Sequence, residues 1–243
     1  MAAPLTEAAI ERVRTLIISG RLVPGQRLPA EAELSVELGV SRSSLREAVR
    51  ALVTARVLDV RRGDGTFVTS LAPDLLLTGI GAAVELMQDD SILGLLECRR
   101  LIEPSVTALA AVRSDARQQA EMLHHLELMT KATEHEDLIR HDVDFHAAVA
   151  RSSQNPVLAS LLTGISSGTV RTRVWRGIIV ADAYQRTFEE HRAIFDAIQA
   201  RDAKLAEAAA LVHVASVENW LRRIVAAGSE PRSEIQLESL TPA

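Results

Sequence analysis

The chain is poor in cysteine, in aromatic residues and in long apolar runs, and each shortage removes a class of protein. A single cysteine, Cys98, has no partner for an internal disulfide among 243 residues. That excludes a disulfide-stapled scaffold and fits a reducing compartment. No uninterrupted apolar stretch approaches the ~18 residues that mark a membrane helix, and the N-terminus lacks the basic, apolar and small-residue succession of a secretion signal. A cytoplasmic protein with no membrane association is expected. Aromatics make up only 3% of the residues while hydrophobic residues make up 47%. The latter are mostly Ala, Leu, Val and Ile, a mix suited to helices and sufficient for one large or two modest domains. No internal repeat is evident. Nor is there an overall excess of positive charge, the formal net being −5, but the charge is unevenly spread. Residues 1–70 hold ten Arg against eight Asp and Glu, whereas residues 71–243 hold 17 Lys and Arg against 24 acids. Only the first part is a candidate phosphate binder.

Within that part, Ser41 to Leu52 reads as a helix with two unlike faces. Ser41 is a plausible N-cap. At roughly 100° per residue, Leu45, Ala48, Val49 and Leu52 fall on one side and Arg42, Ser43, Arg46 and Arg50 on another. Glu31 to Leu38 makes a shorter helix closed by Gly39, so the pair outlines a helix-turn-helix whose Arg/Ser face would enter a DNA major groove. Taken alone, the same arginines are equally a solvated surface. Upstream, apolar residues from Ala9 to Ile17 recur at helical spacing, Gly20 can close that helix, and Val23-Pro24-Gly25-Gln26 suits a type II turn. Downstream, Leu58 to Arg62 and Thr66 to Thr69 are β-like runs around Gly63-Asp64-Gly65, which favours a hairpin. Three helices and a basic-tipped hairpin make a winged helix, with Arg61 and Arg62 able to reach phosphates or the minor groove.

This stretch resembles the N-terminal domain of GntR-family bacterial transcriptional regulators. The matching residues are Gly20 through Glu31, then Leu34, Gly39-Val40-Ser41-Arg42, Leu45-Arg46-Glu47-Ala48, Leu52 and Gly63 through Val68. The resemblance implies that Arg42, Ser43, Ser44 and Arg46 contact DNA and that Gly63 lies at the wing tip. Two positions depart from the pattern. Ala32 stands where some members carry a DNA-contacting arginine, and Arg56 stands where the family usually has glycine before the first wing strand.

Beyond a connector at residues 71–73 the strand signals cease. Seven helices are expected at about 74–87, 91–112, 114–133, 136–152, 155–176, 181–200 and 203–227, with Ser91, Ser114 and Asn155 as N-caps. The tail at residues 228–243 is rich in Ser, Glu, Pro and Arg and is expected to be disordered. The fold class is therefore mainly α: a winged helix-turn-helix over residues 1–70 and an all-helical bundle over residues 74–227.

In that bundle Asp142 and His146 lie four residues apart and project from one helix face. His191 and His213 sit in the last two long helices among apolar neighbours. One carboxylate and three imidazoles on converging helices would suit Zn²⁺, Ni²⁺ or Mn²⁺ with coordination positions left open. Singly, each is equally a core residue satisfied by a local partner. His124, His125, His135 and His141 read as surface residues. The landmarks Glu97 through Glu103, Asp142-x-x-Phe145-His146, Asn155 and His191-x-x-Ile194-x-x-Ala197-Ile198-x-x-Arg201-Asp202 resemble the FCD-type effector domain of the FadR subfamily within GntR regulators. The resemblance implies a metal held by Asp142, His146, His191 and His213. It also implies a small carboxylate effector, because the acyl-CoA-binding branch lacks this set. Arg99 is a candidate second grip on that carboxylate and equally an ion-pair partner of Glu103, four residues on; Arg171 and Arg173 are further candidates.

The function expected is a ligand-responsive repressor, a homodimer reading an inverted-repeat operator in double-stranded DNA. A metal-dependent hydrolase using Asp144 or Glu190 as base is the competing class, and a purely structural metal is the third reading.

Overall fold

A computed structural model describes residues 3–87, 91–170, 172–173, 176 and 183–227. The expected disordered tail and Arg171 lie outside the described residues. The chain divides into two compact units, residues 1–79 and 80–243.

The first unit contains α1 (Ala3–Ile18), α2 (Glu31–Leu38), α3 (Arg42–Thr54) and an antiparallel hairpin of β1 (Leu58–Arg61) and β2 (Gly65–Val68), followed by the short α4 (Pro73–Leu76). Its core joins Val13 and Leu16 of α1, Leu34 of α2, Leu45, Val49 and Leu52 of α3, and Leu58 and Val68 of the hairpin. Local chemistry fixes the punctuation. Gly39 ends α2 in the left-handed region at φ 61°, with its N–H on the carbonyls of Ser35 and Val36, a conformation glycine adopts without cost. Ser41 caps α3 by accepting the Ser44 N–H at 3.0 Å, a contribution of about 1 kcal/mol. Gln26 N–H reaches the Val23 carbonyl at 3.0 Å across the Pro24-Gly25 turn. The strands pair in the register Leu58↔Val68 to Arg61↔Gly65, which sends Arg62, Gly63 and Asp64 around the tip.

Arg56 occupies the glycine position before β1 and adopts φ 60° all the same. The turn forms, with Arg56 N–H on the Val53 carbonyl and the Arg56 carbonyl accepting from Thr69 Oγ1 at 2.8 Å. A side chain in this region costs about 1 kcal/mol, so local strain is held by these bonds.

The second unit is helical: α5 (Thr78–Glu85), α6 (Ile92–Arg113), α7 (Ala116–Lys131), α8 (His135–Ser152), α9 (Pro156–Ser167), α10 (Ala183–Gln199) and α11 (Ala203–Ala226). Met122, Leu126, Phe145, Val149, Ile194, Phe195 and Ile198 fill its main core, with Ala110, Ala111, Ala148, Ala197, Ala206 and Ala210 at the close approaches between helices. Small side chains let backbones come near, which is how a chain so short of aromatics still packs densely.

Four expectations shift. The first expected helix, 74–87, is two, α4 and α5. The helix expected over 155–176 is interrupted: α9 ends at Ser167, a turn at Gly168 and Thr169 follows, and the described residues 170, 172, 173 and 176 are again helical. Gly168 is required there because a Cβ would collide with Val84 and Leu95. Ser91 precedes α6 without making a side-chain cap bond, and the cap of α7 is Asp115, not Ser114. Asp115 accepts from Gln118 N–H while Gln118 reaches back to Asp115 N–H, a capping box. Asn155 and Pro156 start α9 as expected, the Asn155 side chain accepting from the N–H groups of Val157 and Leu158.

Candidate functional site

On α3, Leu45, Ala48, Val49 and Leu52 are buried, and Arg42, Ser43, Arg46 and Arg50 are exposed, with Ser44 half-buried. The two faces are those the periodicity predicts. Arg46 is paired with Glu31 of α2 at 3.0 Å and Arg50 with Glu47 at 2.8 Å, whereas Arg42 has no ion pair among the described residues. At the wing, Gly63 takes φ 78°, Arg62 is exposed and Arg61 lies over the Phe67 ring, 4.1 Å from its centroid. Arg61 also pairs with Asp59 at 3.5 Å, so the paired guanidinium groups of α3 and the wing are held by solvent-exposed carboxylates, pairs weak enough to be exchanged for phosphates.

Inside the second unit, Asp142 and His146 of α8, His191 of α10 and His213 of α11 converge, and all four are buried. The three imidazoles each offer a ring nitrogen within 4.8 Å of the others. His191 Nε2 lies 3.0 Å from His146 Nε2 and 3.5 Å from Asp142 Oδ1, and His146 Nε2 lies 4.0 Å from the same oxygen. Two carboxylates hold the outer nitrogens. Glu103 of α6 sits 2.6 Å from His146 Nδ1, and Glu190 sits 2.8 Å from His213 Nδ1. A carboxylate on Nδ1 fixes the tautomer that leaves Nε2 as a lone-pair donor, the usual support of a metal-binding histidine. His213 Nε2 is buried without a hydrogen-bond partner, as a ligand nitrogen would be. The donor set, three imidazole nitrogens and one carboxylate oxygen, fits a borderline divalent ion.

Electrostatics agree with neutral bases beside ionised acids. Burial, reinforced by the neighbouring imidazoles, holds His191 and His213 well below the ordinary imidazole value. Burial pushes Asp142 up, but Arg173 and the imidazoles overcome it and hold its carboxyl far below the usual range. For Glu103 burial is likewise outweighed by Arg99 and His146.

Arg99 is fully buried and pairs with Glu103 at 2.9 Å through Nε, while Nη1 donates to Thr169 Oγ1 at 3.1 Å. Its Nη2 remains without a partner. The ion-pair reading is therefore met and one donor is still left over. Arg173 pairs with Asp142. Beside that pair lies a cavity of about 30 Å³ lined by Asp142, Arg173, Arg176, Tyr184 and His213 among others. Arg173 Nε, Arg176 Nε, the Tyr184 hydroxyl and His213 Nε2 all lack partners. Sequence reasoning did not single out Arg176, Tyr184 or the supporting role of Glu103. Glu103 stood four residues from Arg99, but nothing in the spacing revealed that it also reaches α8. Glu190, nominated as a catalytic base, instead accepts from His213 and Ser216.

Comparison with known proteins follows the same division. Residues 5–68 match the family described as "Bacterial regulatory proteins, gntR family", and residues 94–216 match the FCD domain. The chain is 35% identical over 218 residues to the galactonate operon transcriptional repressor of Escherichia coli, covering 86% of this chain and 93% of that one. It is 32% identical over 212 residues to the HTH-type transcriptional regulator LutR of Bacillus subtilis, covering 85% and 96%. A solved structure, Streptococcus agalactiae GntR, superposes with a TM-score of 0.64 at 30% identity over 88% of this chain and 99% of that one. No helix among the described residues is long and apolar enough to cross a membrane. The relatives are regulators and none of these is an enzyme, so the hydrolase reading finds no support. The chain belongs to the gntR family of bacterial regulatory proteins, carries an FCD domain, and is a transcriptional regulator.

Proposed function

We propose that this regulator is a ligand-responsive repressor. Residues 1–70 form its operator-binding head, residues 71–73 the connector and residues 74–227 the effector-binding and dimerising body. As a homodimer it reads an inverted repeat, with Arg42 and Arg46 at base edges and Ser43, Ser44, Arg50, Arg62 and the Gly63 wing tip fixing register on the backbone. Asp142, His146, His191 and His213 hold a divalent ion, Zn²⁺, Ni²⁺ or Mn²⁺, and the effector is a small carboxylate.

The observation that carries this reading is the surplus of unpaired donors around the inner cluster. Asp142 and Glu103 are ionised against Arg99 and Arg173, and His191 and His213 are neutral, so the charges of these two acids and two arginines cancel. A divalent ion there adds two uncompensated positive charges in a dry interior, where they attract an anion strongly. The free Arg99 Nη2, Arg173 Nε, Arg176 Nε and Tyr184 hydroxyl add four donors, more than one carboxylate accepts once the ion takes one of its roughly four lone-pair sites. That surplus suits a carboxylate carrying hydroxyls, and the relative named for a galactonate operon makes sugar acids the first class to try. The cavity at about 30 Å³ is water-sized, so effector entry must displace side chains. Such displacement is the differential interaction by which a ligand biases one conformation over another.

The test is operator binding measured by fluorescence anisotropy at fixed salt, using promoter DNA recovered by the protein from its source genome. Galactonate and other small hydroxy acids are added with and without prior chelation. Release by a hydroxy acid that is lost after chelation and restored by Zn²⁺, Ni²⁺ or Mn²⁺ is the expected outcome. Indifference of DNA binding to every acid, with metal loaded, would overturn the sensing role. Chelation that lowers only thermal stability would return the metal to a structural role.

A further inference from the structure

A second trio of metal-ligating side chains lies outside the inner cluster. His141 and Asp144 are three residues apart on α8, and at ~100° per residue their midpoint lies roughly 150° around the helix from that of Asp142 and His146. His125 of α7 faces them. Its Nδ1 is 3.5 Å from His141 Nδ1 and 4.0 Å from Asp144 Oδ2, and one donor atom from each of the three lies within 4.8 Å of the others. The sequence marked both histidines as surface residues, yet both are half-buried where α7 packs on α8.

Two ring nitrogens at 3.5 Å stand at the outer limit of a hydrogen bond. They are close to the edge of a tetrahedron around zinc, where ligands at ~2.0–2.1 Å stand about 3.4 Å apart. The Asp144 side chain is 46% exposed, so its carboxylate is free to close the remaining half-ångström by a small rotation. Burial holds His125 below its ordinary value, which keeps a lone pair available at neutral pH.

We infer that His125, His141 and Asp144 form a second, peripheral site for a borderline divalent transition ion such as Zn²⁺ or Ni²⁺, which staples α7 to α8 and leaves coordination positions open to solvent. Two imidazoles select such ions over Mg²⁺ and Ca²⁺, which require oxygen donors. Because α8 also carries Asp142 and His146, an ion bound here restrains from outside the helix that presents the inner cluster. The inference does not depend on the inner cluster holding metal.

The test is equilibrium dialysis of the untagged full-length chain against Zn²⁺, with bound zinc counted by elemental analysis. The wild type is compared with His125→Ala/His141→Ala, with His146→Gln/His191→Gln, and with the milder Asp144→Asn, and folding is checked by circular dichroism. The outer double variant should bind one equivalent fewer than wild type, and Asp144→Asn should weaken that equivalent about tenfold. The inner double variant should keep the outer equivalent whether or not the inner cluster binds an ion, so failure of either site is read separately. Zinc stoichiometry and affinity unchanged in both His125→Ala/His141→Ala and Asp144→Asn, or displacement of the outer ion by equimolar Mg²⁺, would overturn the inference.

Discussion

Replacing His191 with glutamine should abolish metal-linked stabilisation while leaving a folded protein. His191 is fully buried, packs on the Phe145 ring at 4.9 Å, and lies within reach of both His146 and Asp142, so it would be the central ligand of the metal centre proposed for the inner cluster. Glutamine keeps much of the volume and a polar end, which limits the cavity cost that alanine would incur. An ion that binds only the folded state stabilises it by RT ln(1 + [M]/Kd), about 2.7 kcal/mol at a hundredfold excess over Kd. For a helical unit of this size, 1 kcal/mol moves Tm by roughly 2–4 °C, so wild type should gain about 5–11 °C when the chelated protein is reloaded. The assay is thermal unfolding by circular dichroism with Zn²⁺, Ni²⁺ or Mn²⁺ against chelator. Both proteins carry His125→Ala/His141→Ala to remove the outer trio. The His191→Gln form should shift by no more than about 1–2 °C, whatever its absolute Tm. Equal shifts in the two proteins, or none in the parent that keeps His191 with any of the three ions, would refute the assignment of the inner cluster as a metal centre.

Lowering pH should destabilise the metal-free protein sooner than carboxylate titration alone explains. His191 and His213 are depressed below the ordinary value of 6.5, so the unfolded chain binds more protons than the native one below about pH 6.5. Stability present above that pH is then lost as pH falls, at up to ~1.4 kcal/mol per pH unit for each imidazole; chelated protein melted from pH 7.5 to 5.5 should show it, and a flat Tm over that window would contradict the burial of neutral imidazoles. Arg42→Ala should weaken operator binding roughly 5- to 150-fold if its guanidinium reads a base edge. Uniform weakening on all sequences with a shallower salt dependence would make it a phosphate contact instead. Arg56→Gly should relieve the left-handed strain and raise stability by about 0.5–1 kcal/mol, read by denaturant unfolding; a loss of stability would show that the Arg56 side chain has a stabilising role. Gly168→Ala should cost about 1–3 kcal/mol through its collision with Val84 and Leu95, measured the same way.

The division between what the sequence shows and what it hides follows the range of the interactions. The faces of α3, the Gly39 and Asn155 boundaries and the hairpin were legible because periodicity, capping and turn chemistry act within a few residues. The need for glycine at 168 was not, since what forbids a side chain there lies in Val84 and Leu95, more than seventy residues away. Asp115 displaced Ser114 as the α7 cap because only Asp115 stands three residues before a glutamine able to complete the reciprocal pair. At the inner cluster the four ligand-type residues could be named from type and helix face, but their support could not. Glu103 joins His146 across 43 positions and Arg176 joins Ser216 across 40, and pairings of that span leave no periodic trace. The outer trio was passed over for the same reason: His141 and Asp144 look solvated until α7 brings His125 against them.

The energetics of the inner cluster bear on why such a constellation persists at all. Three imidazoles and two arginines in a dry interior each forfeit hydration, and every polar atom left unpaired there costs about 1–3 kcal/mol. Six buried polar atoms among the described residues lack partners, on Arg99, Arg173, Arg176, Tyr184, His191 and His213, and none is in the DNA-binding unit. Apolar side chains of similar volume would serve stability better. A bundle that needed only to fold and dimerise would lose nothing by that exchange. Arg173, Arg176, Tyr184 and His213 instead line one cavity with a carboxylate, Asp142, and together these groups present nitrogen donors to a cation and N–H and O–H donors to an anion. Substituting Tyr184 with phenylalanine, which removes an unpaired hydroxyl and breaks no ion pair, separates the two explanations. If the hydroxyl serves packing, the variant loses stability; if it serves binding, the variant melts at the same or a higher temperature and its operator complex responds more weakly to a hydroxy acid.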